Sequence, residues 1–188
     1  MFPFAKVITV TWIVFWLFWF FLAFGSKKNT SLNVGHFTGL RIIIFVLAVG
    51  LLRFMGVQYS PFRNQIATNS ELIPILGFIM FLLGLLLAIW ARFYLGKNWG
   101  MPMSQKLNPE LVTAGPYHYI RHPIYTGILL AMLGSAIAIS LYLLTIFIII
   151  GVYFIYSALS EERLMAQQFP KTYPAYKSKT KMLLPFIF

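Results

Sequence analysis

Residues 115–127 read GPYHYIRHPIYTG, and this stretch decides how the rest of the chain is interpreted. It holds two histidines, an arginine and three tyrosines at the point where a polar segment gives way to an apolar run. A proline at the first position of a helix loses no hydrogen bond, so Pro123 predicts a helix start. The stretch is therefore a polar cluster at the boundary between a loop and an apolar helix.

The composition around this stretch indicates an integral membrane protein. Of the 188 residues, 60% are hydrophobic and 18% are aromatic, and the mean hydropathy is +0.79. A soluble core of this size does not absorb so much apolar surface, so lipid must cover part of it. The chain contains no cysteine, which excludes disulfides and thiolate metal ligands.

The strong basic excess has a membrane interpretation as well. Fifteen basic and four acidic residues give a net charge of +11. In a membrane protein this excess marks cytoplasmic loops and attraction to anionic lipid, so we expect no nucleic-acid partner. We also expect no metal site, because Pro123 makes the segment between His118 and His122 a loop rather than a helix interior.

Five apolar runs predict five membrane-spanning helices. The turn between the fourth and fifth is very short and uncharged, which indicates an antiparallel hairpin. Lysines after the first helix, before the fourth and in the tail place these three segments in the cytoplasm. The predicted helices cover residues 7–24, about 40–57, about 71–95, 123–139 and about 141–160.

The predicted fold is an all-α integral membrane protein with a single domain, residues 1–188. Residues 1–95 hold the first three transmembrane helices, and residues 96–188 hold a polar loop, the helical hairpin and a cytoplasmic tail. The tail, from residue 167, contains three prolines and is too broken to cross the membrane again.

The hairpin predicts a site at the cytoplasmic membrane boundary. It brings Arg121, His122 and Tyr125, at the start of the fourth helix, near Glu161 and Glu162 at the end of the fifth. Carboxylates bind an ammonium group or a ribose diol, an arginine binds a carboxylate, and tyrosines flank a base. These groups suit a zwitterionic, partly aromatic ligand. The alternatives are an ordinary interfacial ion pair and a belt of tyrosines at the headgroup level.

At these residues the chain resembles the isoprenylcysteine carboxyl methyltransferase family, membrane enzymes that use S-adenosylmethionine. The resemblance covers the chain from about residue 110 to its C-terminus. The first matching block comprises Leu111, Val112, Thr113, Gly115, Pro116, Tyr117, Arg121, His122, Pro123, Ile124, Tyr125, Thr126 and Gly127. The second comprises Glu161, Glu162, Phe169, Tyr173, Tyr176, Lys177 and residues 184–187.

The resemblance implies a cofactor pocket at the cytoplasmic ends of the hairpin, capped by the tail. Its cofactor would be S-adenosyl-L-methionine, and its acceptor a lipophilic small molecule or a lipidated substrate taken from membrane lipid. Glu161 would be a catalytic residue as well as a cofactor contact. The cofactor-binding residues that the resemblance implies are Glu110, Leu111, Val112, Tyr117, Arg121, His122, Pro123, Ile124, Tyr125, Glu161 and Glu162.

One position departs from the family pattern. The family resemblance implies an arginine one turn before the first glutamate, where it would hold the substrate carboxylate, and here that position is Ser157. Arg92, near the inner end of the third helix, is the substitute that we expect to act with Glu161 in catalysis.

The function expected from the resemblance is methyl transfer, most directly carboxyl O-methylation of a prenylcysteine-like substrate. A second reading is N-methylation of a phospholipid amine, which needs no substrate arginine and so fits Ser157. An NADPH-dependent sterol-type reductase would instead carry an asparagine at position 124 and an acid at position 128, where Ile124 and Ile128 stand. A non-enzymatic membrane scaffold is the remaining alternative.

Overall fold

The computed structural model describes residues 4–23, 72–100, 108–141 and 143–184. These residues form helices and turns, with no strand and a single isolated parallel bridge between Ile120 and Lys181. The α-helices are α1 (Phe4–Ala23), α2 (Leu72–Leu95), α3 (Pro123–Ile139), α4 (Leu143–Gln168) and α5 (Tyr173–Lys179). Two 3₁₀ turns, Gly96–Asn98 and Gly115–His118, lie on the path from α2 to α3.

Three of the described helices are long and apolar enough to cross a membrane. The candidate spans are Phe4–Leu22, Leu72–Asn98 and Leu143–Gln168. They correspond to the first, third and fifth helices predicted from the sequence, and the shorter α3 begins and ends at the residues predicted for the fourth. The predicted second helix, at about 40–57, lies outside the described residues. The all-α membrane architecture is confirmed for the part of the chain that the structure describes.

The fifth predicted helix is longer than the sequence pattern predicts. The predicted end was about Ser160, whereas α4 continues to Gln168. Residues 161–168 read EERLMAQQ and are all good helix formers, and Pro170 is the first residue that resists continuation. Glu161 and Glu162 therefore lie inside α4 rather than at its end. The tail also forms the seven-residue α5, which is too short to cross a membrane.

Helices α1 and α2 run in the same direction. Phe4 contacts Phe78 near the beginnings of the two helices, with their ring centroids 5.2 Å apart. Phe18 contacts Phe93 near their ends, at 6.1 Å. The C-terminal ends of both helices thus lie at the same end of the bundle, as the predicted topology requires of its first and third helices.

Helices α2 and α3 are antiparallel and pack through glycines. The hydrogen that replaces a side chain at Gly84 faces the backbone of α3, and a Cβ there would lie 2.6 Å from the carbonyl oxygen of Gly127. The same relation holds one heptad along, where a Cβ on Gly134 would lie 2.6 Å from the carbonyl oxygen of Gly77. Small residues let helix backbones approach closely in membranes, where lipid supplies little drive for association. We call these four residues the glycine seam.

Helices α3 and α4 form the predicted antiparallel hairpin. The Tyr125 ring, in the first turn of α3, stacks on Phe154 in the middle of α4 at 4.5 Å between centroids. Helix α1 joins α3 through Trp12, whose indole N–H donates to the Ser135 hydroxyl at 3.1 Å. The start of α3 therefore meets the ends of α1 and α2 and the second half of α4.

Candidate active site

A cavity of about 510 Å³ lies where these helix ends meet. Its volume falls within the range of ordinary small-molecule sites, about 300 to 1,000 Å³. All five helices or the segments beside them contribute to its wall, which is mostly aromatic and apolar. The lining residues are Trp16, Trp19, Phe20, Leu95, Asn98, Trp99, Gly100, Pro109, Glu110, Leu111, Val112, Tyr117, Arg121, His122, Ile124, Tyr125, Ile128, Phe154, Glu161, Leu164, Met165, Gln168, Tyr173 and Tyr176.

The entry to α3 is built by a tight turn that only glycine accommodates. Gly115 has φ +61°, and a Cβ on it would lie 2.7 Å from the ring of Tyr94. The following 3₁₀ turn buries Tyr117 at the cavity wall. His122 directly precedes Pro123, the first residue of α3, so the imidazole lies at the N-terminus of this helix.

The tail is attached by backbone hydrogen bonds to the segment that leads into α3, residues 115–122, which we call the entry segment. The N–H groups of Arg121 and His122 donate to the carbonyl oxygens of Lys181 and Met182, at 2.8 and 3.1 Å. The Thr126 hydroxyl donates to the carbonyl oxygen of Leu183 at 2.7 Å. The tail therefore holds the backbone that carries His122.

Glu162 connects three separate parts of the chain. Its side chain is only 5% exposed and accepts from Arg121 Nε and from Lys177 Nζ, both at 2.6 Å. Arg121 Nη1 also donates to the carbonyl oxygen of Thr180. This network of Glu162, Arg121, Lys177 and Thr180 ties α4 to the entry segment and to the tail.

The adjacent carboxylate, Glu161, turns toward the cavity instead. Its Oε1 accepts from the Tyr125 hydroxyl at 2.6 Å, and its Oε2 lies 3.5 Å from His122 Nδ1. The His122 ring stacks on Tyr125, with 5.5 Å between centroids and only 4° between planes. Consecutive residues of α4 thus serve different purposes, because Glu162 binds the tail and Glu161 faces the cavity together with His122 and Tyr125.

The local environment keeps His122 prone to protonation and the tyrosines neutral. Burial lowers the pKa of His122, but the carboxylates of Glu161 and Glu162 raise it, and the net pKa lies above the ordinary value. Burial raises the pKa of Tyr117 and raises the pKa of Tyr176 to about 12. Both phenols therefore remain hydrogen-bond donors near neutral pH, and Tyr176 donates to the Tyr117 carbonyl oxygen at 2.7 Å.

Most residues assigned from the sequence line the cavity. Those that do are Glu110, Leu111, Val112, Tyr117, Arg121, His122, Ile124, Tyr125 and Glu161. Pro123 and Glu162 lie behind the wall, and so does Arg92, which is 4% exposed. The structure brings the two predicted blocks together, as the hairpin argument required.

The contribution of α1 and of the segment after α2 to the cavity was not predicted from the sequence. Trp16, Trp19 and Phe20 line the cavity from α1, and Trp99, in ring contact with Trp19, lines it from the segment after α2. Trp12, Trp16 and Trp19 recur at four- and three-residue intervals, which places them on one helix face. This spacing indicates a shared aromatic face. It is hard to recognise in the sequence because aromatic residues also occupy many other positions of the same helix.

The chain is similar to a family model and to curated proteins of known name. The family model described as phospholipid methyltransferase matches residues 72–172, more than half of the chain. The protein-S-isoprenylcysteine O-methyltransferase of Schizosaccharomyces pombe is 28% identical over 147 residues, covering 76% of this chain and 59% of that protein. The cobalt-zinc-cadmium resistance protein CzcN of Cupriavidus metallidurans is 28% identical over 149 residues, covering 77% of this chain and 60% of that protein. The aligned region thus spans about three fifths of the length of these curated relatives.

Proposed function

The chain belongs to the phospholipid methyltransferase family, and we propose that it transfers a methyl group from S-adenosylmethionine to a lipophilic acceptor at the membrane boundary. The observation that carries the proposal is the convergence of Glu161, His122 and Tyr125 on one side of an aromatic cavity at the ends of membrane-spanning helices. We place the site on the cytoplasmic side because the tail beside it carries Lys171, Lys177, Lys179 and Lys181.

The residues present fit this cofactor. Its ribose hydroxyls and amino group need acceptors, and the Glu161 carboxylate lies at the wall with its side chain 25% exposed. Gln168 Oε1, a buried atom of a residue that lines the cavity, has no hydrogen-bond partner among the described residues, so a donor on the ligand could satisfy it. When bound, the cofactor supplies an electrophilic methyl group on a sulfonium. The residues that would hold it are those assigned from the sequence, with Pro123 and Glu162 acting through the wall residues that they support.

The protein would contribute orientation and the exclusion of water. Tyr125 and His122 hold the Glu161 carboxylate from two sides, so its position is set before any ligand arrives. The rings of Trp19, Trp99 and Phe154 keep the cavity dry and strengthen polar interactions inside it. Holding the two reactants in line lowers the activation barrier of such reactions by a large amount.

The first acceptor that we propose is the carboxylate of a prenylcysteine-like molecule. Its support is the resemblance of the site blocks and the similarity to the fission yeast enzyme. Arg121 is the one arginine or lysine among the described residues that line the cavity, and Glu162 already neutralises part of its charge.

An amine is the second candidate, and the charge of the cavity favours it. Glu110 and Glu161 both line the wall, while the position of the family arginine is Ser157. This wall is therefore suited to a lipid that carries an ammonium group, as in N-methylation of an aminophospholipid.

A panel of acceptors tests the proposal and separates the two candidates. The purified protein in lipid nanodiscs is incubated with S-adenosylmethionine labelled on its methyl group and with a prenylcysteine, a fatty acid or an aminophospholipid. We expect label to enter at least one lipophilic product, and the position of the label identifies the acceptor atom. Binding of NADPH in place of S-adenosylhomocysteine, or of neither, would contradict the proposal.

Two substitutions test the cofactor side of the cavity. We expect Glu161→Gln and His122→Ala each to weaken S-adenosylhomocysteine binding by tenfold or more, about 1.4 kcal/mol. The reason is that each removes part of the Glu161, His122 and Tyr125 cluster. Arg163→Gln is the control, since Arg163 is exposed on the same helix. Calorimetric titration measures all three, and unchanged affinity in both site variants would refute the site.

A further inference from the structure

Arg92 joins the ends of two helices. It lies in the last turn of α2, and its Nη1 donates to the carbonyl oxygen of Gly96 at 2.7 Å. Its Nη2 donates to the carbonyl oxygen of Leu22, in the last turn of α1, at 2.8 Å. One planar guanidinium thus spans the C-terminal ends of both helices, which a lysine, with its single ammonium, does less well.

The electrostatics of this position suit a fixed cation. The last carbonyl groups of a helix have no partner within it, and they form the negative end of the helix dipole. Near lipid such carbonyls gain more from an internal donor than they would in water. Because α1 and α2 are parallel, two negative helix ends converge on Arg92 and stabilise its charge.

Arg92 also supports the cavity wall from behind. Its guanidinium carbon lies 4.8 Å from the ring centroid of Trp99, a cation–π distance. Trp99 in turn meets Trp19 edge to face, with 6.1 Å between centroids and 84° between planes. Both tryptophans line the cavity, whereas Arg92 does not.

We propose that Arg92 is a positioning residue, which fixes the aromatic wall of Trp19 and Trp99 against the apolar part of the acceptor, and that it is not an anchor for the acceptor's carboxylate. This replaces the role that the sequence indicated. The part that concerns the acceptor rests on the proposed methyl transfer, and the part that concerns the helix ends does not. Loss of Arg92 should therefore weaken binding of acceptors with any head group.

A distance measurement tests the structural part without any activity. Because the chain has no cysteine, spin labels can be placed uniquely at Phe21→Cys on α1 and Leu86→Cys on α2, both exposed side chains. We expect a narrow distance distribution in the parent protein and a broader or displaced one with Arg92→Met. Arg163→Met, at an exposed arginine of α4, is the matched control and should leave the distribution unchanged. An unchanged distribution with Arg92→Met would refute the clamp between the helix ends.

A kinetic comparison tests the acceptor part. Two acceptors with the same lipid chain, one ending in a carboxylate and one in an amine or an uncharged group, are compared in Arg92→Met, Trp99→Leu and the double variant. We expect KM to rise by a similar factor for both acceptors, about tenfold, which corresponds to 1.4 kcal/mol. The double variant should be no worse than the poorer single variant, because the two side chains act through one contact.

The outcomes distinguish a failure of the positioning role of Arg92 from a failure of the proposed methyl transfer. A rise in KM confined to the carboxylate acceptor, with additive effects of the two substitutions, would make Arg92 a substrate anchor and overturn the positioning role. Arg92→Lys keeps the charge but loses the two-carbonyl geometry, so full recovery by lysine would overturn it as well. Failure of all acceptors to react would count against methyl transfer, while the spin-label result would still decide whether Arg92 joins the helix ends.

Discussion

Gly127→Ala is expected to greatly reduce the fraction of the protein that folds. The added Cβ would lie 2.6 Å from the backbone nitrogen of Ala88 and 2.6 Å from the carbonyl oxygen of Gly84. Both are backbone atoms of α2, so no side chain can rotate away and the helices must separate. Overpacking costs about 1 to 3 kcal/mol when side chains can adjust, and we expect about 3 kcal/mol or more here. Thermal unfolding in detergent and the yield of monodisperse protein measure the loss.

Gly151→Ala is the matched control for the glycine seam. Its Cβ would meet only the Leu129 Cδ2 atom, at 3.8 Å, which is ordinary van der Waals contact. Replacing glycine by alanine within a helix stabilises it by about 0.5 to 1 kcal/mol. We therefore expect Gly151→Ala to be neutral or stabilising. Equal losses at Gly127 and Gly151 would show that helix context, and not close contact, determines the effect.

Glu162→Gln is expected to have the second large effect, by releasing the tail. The substitution removes the carboxylate that pairs with Arg121 Nε and with Lys177 Nζ, each at 2.6 Å. The largely buried Arg121 guanidinium then has no negative charge as its partner in this ion pair. Removing one partner of a buried ion pair typically costs about 3 to 5 kcal/mol. We expect faster tryptic cleavage at the lysines of the tail and weaker S-adenosylhomocysteine binding, measured on the same preparation.

The control for Glu162→Gln is a substitution of its second, exposed partner, Lys177. The Lys177 side chain is 52% exposed, so solvent can replace Glu162 as its partner. Exposed ion pairs contribute about 0 to 1 kcal/mol. Lys177→Met should therefore change cofactor affinity and tryptic cleavage at the remaining tail lysines only slightly. If Lys177→Met were as damaging as Glu162→Gln, the pairing with Arg121 would not be the contact that holds the tail.

Local chemistry made much of the site predictable. Pro123 marked the start of α3 correctly, because a proline suits the first turn of a helix and little else in an apolar segment. The short connection before α4 implied a hairpin, and the hairpin brought Arg121 and His122 to Glu161 and Glu162. The resemblance to membrane methyltransferases is confirmed by the family match.

The features that were missed depend on contacts between distant segments. Nothing near Lys181 in the sequence indicates that its carbonyl oxygen accepts from the Arg121 amide. The role of Trp99 depends on Arg92 behind it and on Trp19 from another helix. Glu161 and Glu162 make different contacts because adjacent side chains of an α-helix point about 100° apart. This difference was not predicted, because the predicted helix ended at Ser160, before both glutamates.

The glycine seam also determines which parts of the protein can move. Backbone atoms of α2 and α3 are in direct contact at the glycine seam, so no change of side-chain rotamer can let these helices shift against each other. We therefore expect α2 and α3 to move as one rigid body. Any widening of the cavity during ligand exchange then falls to the other elements that line it, which are α1, α4 and the tail. We therefore expect cross-links that restrain these elements to slow ligand exchange.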